Sequence, residues 1–407
     1  MAKRNIGDRI QKFNTSSERS PIPQLLAAKY AAMREDRENP FVFFRATCHL
    51  FYEDLEIKSS FKKAPLTWIC GDLHLENFGN YKADNRHVYF DINDFDEGLL
   101  APVTWEIARF LTSIFVASKT FMIAEPIAEM LCQQFLHSYT SALAMGTAYW
   151  MGVDTAPEAI AKLLSRKTEV QRKEVLAKYT NLSRDKQKRK IDLNCGKAIP
   201  ISDQQQQKVE AFMESFGAKQ ANRKFFKLLD VAQRIAGKGS LGIERYVLLV
   251  EGKGSPDNNY LLDLKKSLSS SLTPYAICDQ PTWKHEADRI VSIQRRSQAM
   301  PIAFLEAVTI DKDAFVLREL QSTTSPTDHL KIHKWDDDLE ESQELMRTLG
   351  QVVASAHLRS SGRQGAAIAD ELIDFAGKSK WQAEVLNYAK KYSKQVNEDW
   401  EEFCGIR

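Results

Sequence analysis

Gly71-Asp72-Leu73-His74-Leu75-Glu76-Asn77, followed shortly by Asn93-Asp94-Phe95-Asp96-Glu97-Gly98, is the stretch on which the reading of this chain turns. Each loop follows a short apolar run. Leu66-Thr67-Trp68-Ile69-Cys70 stops at Gly71, and His87-Val88-Tyr89-Phe90-Asp91 leads into the second acidic loop, which ends at Gly98. Apolar runs bounded by Gly, Asn and Asp read as strands ending in turns, so two strands each deliver carboxylates at their C-terminal ends. On the N-terminal side, residues 1–65 read as mostly helical, with apolar periodicity through Pro23–Met33 and Phe41–Leu55. On the C-terminal side, Val103 to about Leu143 reads as long amphipathic helices, with Trp105, Ile107, Ala108, Leu111, Ile114 and Phe115 at helical spacing.

Farther along, the texture changes. From Val231 to Gln321 the pattern is β-rich, with strands expected at Arg245–Val250, Asn259–Leu264, Ile302–Ile310 and Ala314–Leu320 and one helix near Glu286–Met300. Asp336–Arg359 and Trp381–Phe403 are helical again. The expected organisation is α+β. Residues 1–230 form a helical large lobe bearing both acidic loops, 231–322 a small antiparallel-sheet lobe, and 323–407 helices returning to the large lobe.

At 407 residues and 43% hydrophobic composition, the chain can fill one large core or two. Its six cysteines stand far apart with no Cys-x-x-Cys pair, so neither a disulfide framework nor a zinc knuckle is indicated. The N-terminus turns polar at once, and no later run approaches the roughly 18 apolar residues of a membrane span. A cytoplasmic protein without a membrane partner is expected. A net charge of +2 gives no argument for a nucleic-acid partner. The basic concentration at 162–190, eleven Lys/Arg against three Asp/Glu, reads first as a solvated face and second as a patch for an anionic acceptor.

Asp72-x-x-x-x-Asn77 after one strand and Asp94-Phe95-Asp96 after the next supply what phosphoryl transfer needs. One carboxylate orients or deprotonates the attacking hydroxyl, while an Asn and a separate Asp hold the Mg²⁺ that bridges the nucleotide phosphates. Asp72, Asn77 and Asp94 stand in that order. Asp and Asn are also ordinary turn residues after strands; the two loops together favour the catalytic reading.

Gly71–Asn77 resembles the catalytic loop of aminoglycoside and choline phosphotransferases, His-Gly-Asp-Leu-His-Pro-x-Asn, with Cys70 where the first His usually stands and His74 matching the second. Ile92–Arg109, with Asp94, Pro102 and Glu106-Ile107-Ala108-Arg109, resembles the Asp-Phe-Asp…Pro…Asp-Leu-Ala stretch of the same enzymes, Glu106 replacing the usual Asp. Together with Phe43-Phe44-Arg45-Ala46, the pattern is similar to an uncharacterised bacterial family, the domain of unknown function 2252, over most of the chain. The resemblance implies a protein-kinase-like two-lobe fold and an enzyme that uses ATP and Mg²⁺. It implies Asp72 and His74 as catalytic residues and Asn77, Asp94 and Asp96 as metal ligands. It names no acceptor.

Such a site also needs a phosphate cradle, yet residues 1–70 hold a single glycine, Gly7. The Gly-x-Gly-x-x-Gly of this chain is Gly237-Lys238-Gly239-Ser240-Leu241-Gly242, at the start of the sheet lobe. Alone it is a weak signal. It precedes a strand, the turn 252–258 and the strand Tyr260-Leu261-Leu262-Asp263-Leu264-Lys265, the order of a kinase small lobe. Gly237, Gly239, Ser240, Gly242 and Lys265 are therefore the expected nucleotide-binding residues. Lys265 is preferred over Lys266 because Leu262 and Leu264 occupy the opposite strand face. With the cradle after the catalytic loop, the expected architecture is a circularly permuted kinase-like fold. Phe315–Leu320 would enter the hinge, and Leu349–His357 the helix before the catalytic loop, with His357 read as a satisfied core histidine. The small-lobe helix offers Gln294, not Glu, near the place where kinases pair the lysine. The reaction expected is ATP- and Mg²⁺-dependent phosphotransfer to a hydroxyl of a small molecule or protein. The alternatives are AMP transfer on the same scaffold, a nucleotide-binding pseudokinase and, last, a metal hydrolase built on Asp72, His74, Asp91 and Asp94.

Overall fold

The computed structural model describes the chain apart from residues 1–4, 20, 36–39, 56–60, 62, 170, 171, 186, 238, 322–334, 336, 406 and 407. Leu66–Ile69 is a strand, and it pairs antiparallel with Leu99–Pro102. Val88–Ile92 pairs instead with Phe78–Lys82, a strand missing from the sequence reading because Gly79 and Asn80 are poor strand formers. The two acidic loops thus leave separate sheets and converge.

Val103–Thr120 departs from the amphipathic pattern expected of it: every residue from Val103 to Ser118 is buried. A helix covered all round belongs inside a core, and this one lies against Lys380–Cys404 and Glu125–Ala144. Glu125–Ala144 packs in turn along Leu339–Ser360. These helices, with Ile6–Asn14, Pro40–Ala46 and Cys48–Glu53, enclose the main apolar cluster.

The largest sheet has six strands in the order Glu306–Ile310, Asp313–Glu319, Tyr260–Lys266, Arg245–Val250, Leu228–Arg234 and Ala198–Ile199, each antiparallel to its neighbour. It takes in more of the chain than the expected 231–322. Asp203–Ala218, started by a Ser202–Gln205 capping box, lays Val209, Met213 and Phe216 against Val231, Tyr246, Leu262 and Leu264. Leu262 and Leu264 occupy that face, so Asp263 and Lys265 project from the other. On the second side, Glu286–Ser297 packs against Asp313–Glu319 and Glu306–Ile310.

The architecture is mixed α/β with antiparallel sheets. The expected hinge after Leu320 falls in 322–334, outside the described residues. Of the basic stretch 162–190, Arg189 is buried and bound to Pro256 O and Asp257, and Arg172 lies over the Tyr260 ring at 3.6 Å. Both serve packing. Among the described residues no helix is long and apolar enough to cross a membrane, and Cys48, Cys70 and Cys132 are buried thiols.

Candidate active site

Gly71 turns the chain out of its strand at φ +81°, where a Cβ would lie 2.2 Å from Glu97 O. Only glycine permits both the conformation and the contact, and the contact docks the first acidic loop on the second. Asp72 follows, and its Oδ1 accepts from Arg109 Nε at 2.8 Å and Nη2 at 2.5 Å. Arg109 is fully buried on helix Val103–Thr120, with its guanidinium 4.2 Å from the Phe44 ring centre. His74 lies with Nε2 4.0 Å from Asp72 Oδ2, while its Nδ1 accepts from Glu76 N and caps the turn Leu75–Asn77. Burial, and then the charges of Arg45 and Arg109, hold His74 well below its usual range and hence neutral.

Asn77 joins the loops. Its Nδ2 donates to Asp72 O and Asp94 O, both at 3.1 Å, and its Oδ1 accepts from Asp94 N at 2.8 Å. Asn77, expected as a metal ligand, thus has both amide atoms engaged by backbone and clamps one loop to the other.

Lys265 reaches across from the sheet to this second loop. Its Nζ is ion-paired with Asp96 Oδ2 and lies 3.8 Å from Asp94 Oδ2, whereas Lys266 turns to Asp313 at 3.0 Å. Asp94 keeps about half of its side chain (52%) open to the cleft while protein surrounds it. Burial alone would raise its pKa, but Lys265 and then Arg318 outweigh that and hold it at about 2. Asp96 is pushed the other way, by burial and by the charge of Asp94. The pair is therefore one firmly ionised carboxylate beside one that shares Lys265. Among the described residues no group of three or more His, Cys, Asp or Glu is arranged to hold a metal. Two carboxylates suit Mg²⁺, which is commonly bound by one or two together with substrate phosphates.

The glycine-rich segment is the hairpin loop between Leu228–Arg234 and Arg245–Val250. Gly237, Gly239 and Ser240 line a cleft of about 570 Å³ together with Asp72, His74, Asn77, Asp94 and Asp96. Gly242 faces away, its carbonyl accepting from Ile22 N at 2.9 Å. Gly239 lies against the helical body: its carbonyl accepts from Lys29 Nζ at 2.8 Å, and a Cβ there would meet Arg45 O at 3.2 Å. A hollow of about 650 Å³ between Lys63, Phe375 and Trp381 lacks this convergence of functional groups.

Residues 19–406 match the family described as "Uncharacterized protein conserved in bacteria (DUF2252)". The chain belongs to that family. No curated protein and no solved structure matches it.

Several side chains that build the cleft carried no sequence signal. Arg289, on the helix from which a lysine partner was expected, donates to Gly98 O, Asp96 O and Leu268 O, so it holds the acidic loop rather than Lys265. Gln294 bonds to Gln298 at 3.1 Å. The partner of Lys265 comes from the loop itself. Beneath the first loop, Cys70 N donates to Glu106 Oε2 at 2.8 Å, Glu106 Oε1 meets His357 Nε2, and His357 Nδ1 meets Tyr139 OH at 2.8 Å. The chain is buried throughout, which accounts for His357 as a satisfied core residue. The segment Glu106-Ile107-Ala108-Arg109 was singled out by resemblance, but nothing in it announces that Arg109 would grip Asp72.

Proposed function

We propose that this cleft belongs to an ATP- and Mg²⁺-dependent phosphotransferase with a circularly permuted, protein-kinase-like two-lobe fold, acting on a hydroxyl acceptor. The observation that carries the reading is the meeting of Lys265 with Asp94 and Asp96 at a cleft that the two acidic loops and the glycine hairpin line together. In this reading Arg109 fixes Asp72 through Oδ1 and leaves Oδ2 to orient the acceptor hydroxyl and receive its proton. Neutral His74 holds the turn without competing for that proton. Asp94 and Asp96 would hold the metal, and a Mg²⁺ ion there would supply charge to neutralise the nucleotide phosphates. Lys265, released from Asp96, pairs with the nucleotide phosphates, and the backbone of the glycine hairpin covers them.

A second reading, a nucleotide-binding protein without turnover, draws on Lys265 being held by Asp96 instead of a helix carboxylate. Thermal unfolding with ATP and Mg²⁺, run beside a phosphate-release assay on wild type and Asp72→Asn, separates the two. Stabilisation of both proteins with turnover in wild type alone is expected. Turnover that survives Asp72→Asn, or no stabilisation by ATP and Mg²⁺, overturns the phosphotransferase reading. Binding without turnover in wild type supports the second.

A further inference from the structure

The sheet wall of the cleft is built from charge. Asp263, 1% exposed and two residues before Lys265, accepts from Arg245 Nε at 2.7 Å and Nη2 at 2.6 Å, lies 2.8 Å from Arg234 Nη1, and accepts from Arg318 Nε at 3.3 Å. Three guanidinium groups, from the strands on either side of the one that bears Asp263 and from the next strand beyond Arg245–Val250, thus share one carboxylate, and all three arginines line the cleft. Counting Lys265 with Asp94 and Asp96, four cations face three carboxylates, leaving positive charge unmatched. Arg234 is 6% exposed, and its Nε has no hydrogen-bond partner among the described residues. A planar base is usually held between apolar side chains. Here that part of the cleft offers guanidinium N–H groups beyond those that Asp263 takes, donors that suit phosphate oxygens.

We propose that Arg234, Arg245 and Arg318, held in place by Asp263, form a phosphate-binding subsite on the sheet wall of the cleft. The inference deepens the phosphotransferase reading in naming phosphate as the anion. It places the phosphate-bearing end of a ligand, rather than a nucleobase, against the sheet. Asp263 keeps the three like charges together in the absence of ligand, and an incoming phosphate shares their remaining donors.

Isothermal titration of the full chain with inorganic triphosphate, at low and high salt, tests this. Arg318→Gln is the informative variant because Arg318 makes the longest contact with Asp263, and Arg318→Lys retains its charge. Thermal unfolding without ligand reports the folding of each. Expected are salt-sensitive triphosphate binding, a loss of at least tenfold in Arg318→Gln, partial recovery in Arg318→Lys, and no competition by adenosine. Competition by inorganic phosphate at similar concentration also supports the subsite and limits it to a single phosphate. Triphosphate binding unchanged in a folded Arg318→Gln protein overturns the proposal, as does adenosine affinity that falls equally. ATP turnover without triphosphate binding removes the subsite and leaves the phosphotransferase reading standing. Triphosphate binding with the expected arginine dependence but no turnover of any nucleotide keeps the subsite and removes that reading.

Discussion

Lys265 Nζ and Asp96 Oδ2 form an ion pair between residues 169 positions apart, joining the six-stranded sheet to the acidic loop of the helical body. Lys265 is nearly buried, while Asp96 keeps about a third of its side chain (32%) exposed. Breaking a buried pair from one side leaves an uncompensated charge, at roughly 3 kcal/mol toward the exposed end of the range. Lys265→Met is therefore expected to lower the urea midpoint and to weaken nucleotide binding. The double variant Lys265→Met/Asp96→Asn is expected to recover the midpoint but not the binding. If it recovers both, the lysine is only a structural tie.

Gly71→Ala is expected to be among the most damaging single substitutions in the chain. The positive φ alone costs an L-residue roughly 1–3 kcal/mol, and overlap with the Glu97 carbonyl adds to that. Gly196 serves as the control, since it has φ +71° with nothing within 4 Å of a Cβ. Gly196→Ala should show the conformational part alone. Equal losses in the two variants, measured by denaturant unfolding, would mean that the docking of Gly71 on Glu97 contributes nothing.

Under the first loop, removing Glu106 leaves His357 Nε2 and the Cys70 N–H without their shared acceptor. A buried group left unsatisfied costs about 1–3 kcal/mol. The expected order of destabilisation is Glu106→Ala, then Glu106→Gln, then Tyr139→Phe, which removes only the outer hydrogen bond. Urea unfolding of the three ranks them, and Tyr139→Phe as the most damaging would contradict the chain of contacts.

The N-terminal contact with the glycine hairpin makes stability depend on pH. Lys29 donates to Asn14 Oδ1 and Gly239 O, and burial, then the charge of Arg19, lowers its pKa from 10.5 to about 7. Between about 7 and 10.5 the unfolded chain holds this proton and the folded chain does not. Unfolding then takes up a proton, so this group's contribution to stability rises with pH through that window and is flat below it. Wild type is expected to gain stability relative to Lys29→Met between pH 7 and 9.5. A difference that stays constant over this range would show that Lys29 remains charged.

Local features were legible without coordinates. The turn at Gly71, the strand before it, the helix Glu286–Ser297 and the side of its strand on which Lys265 lies follow from φ preference, turn chemistry and alternation, each within a few residues. Phe78–Lys82 was missed for the same local reason, since its Gly and Asn read as turn residues while pairing with Val88–Ile92 holds them extended. The partner of Lys265 was sought on a helix and came from a loop, because an ion pair between remote segments leaves no periodic trace.

The sequence alone determined that two carboxylate-bearing loops follow apolar strands and that a glycine hairpin with a lysine strand lies far downstream. These are short-range consequences of backbone conformation and side-chain alternation. Only the tertiary structure decided that Arg109 holds Asp72, that Asn77 clamps one loop to the other, and that three arginines gather on Asp263. Those contacts are made when separate elements pack, and burial is what makes each of them necessary: a charge or an amide removed from water must find a partner wherever the fold brings one.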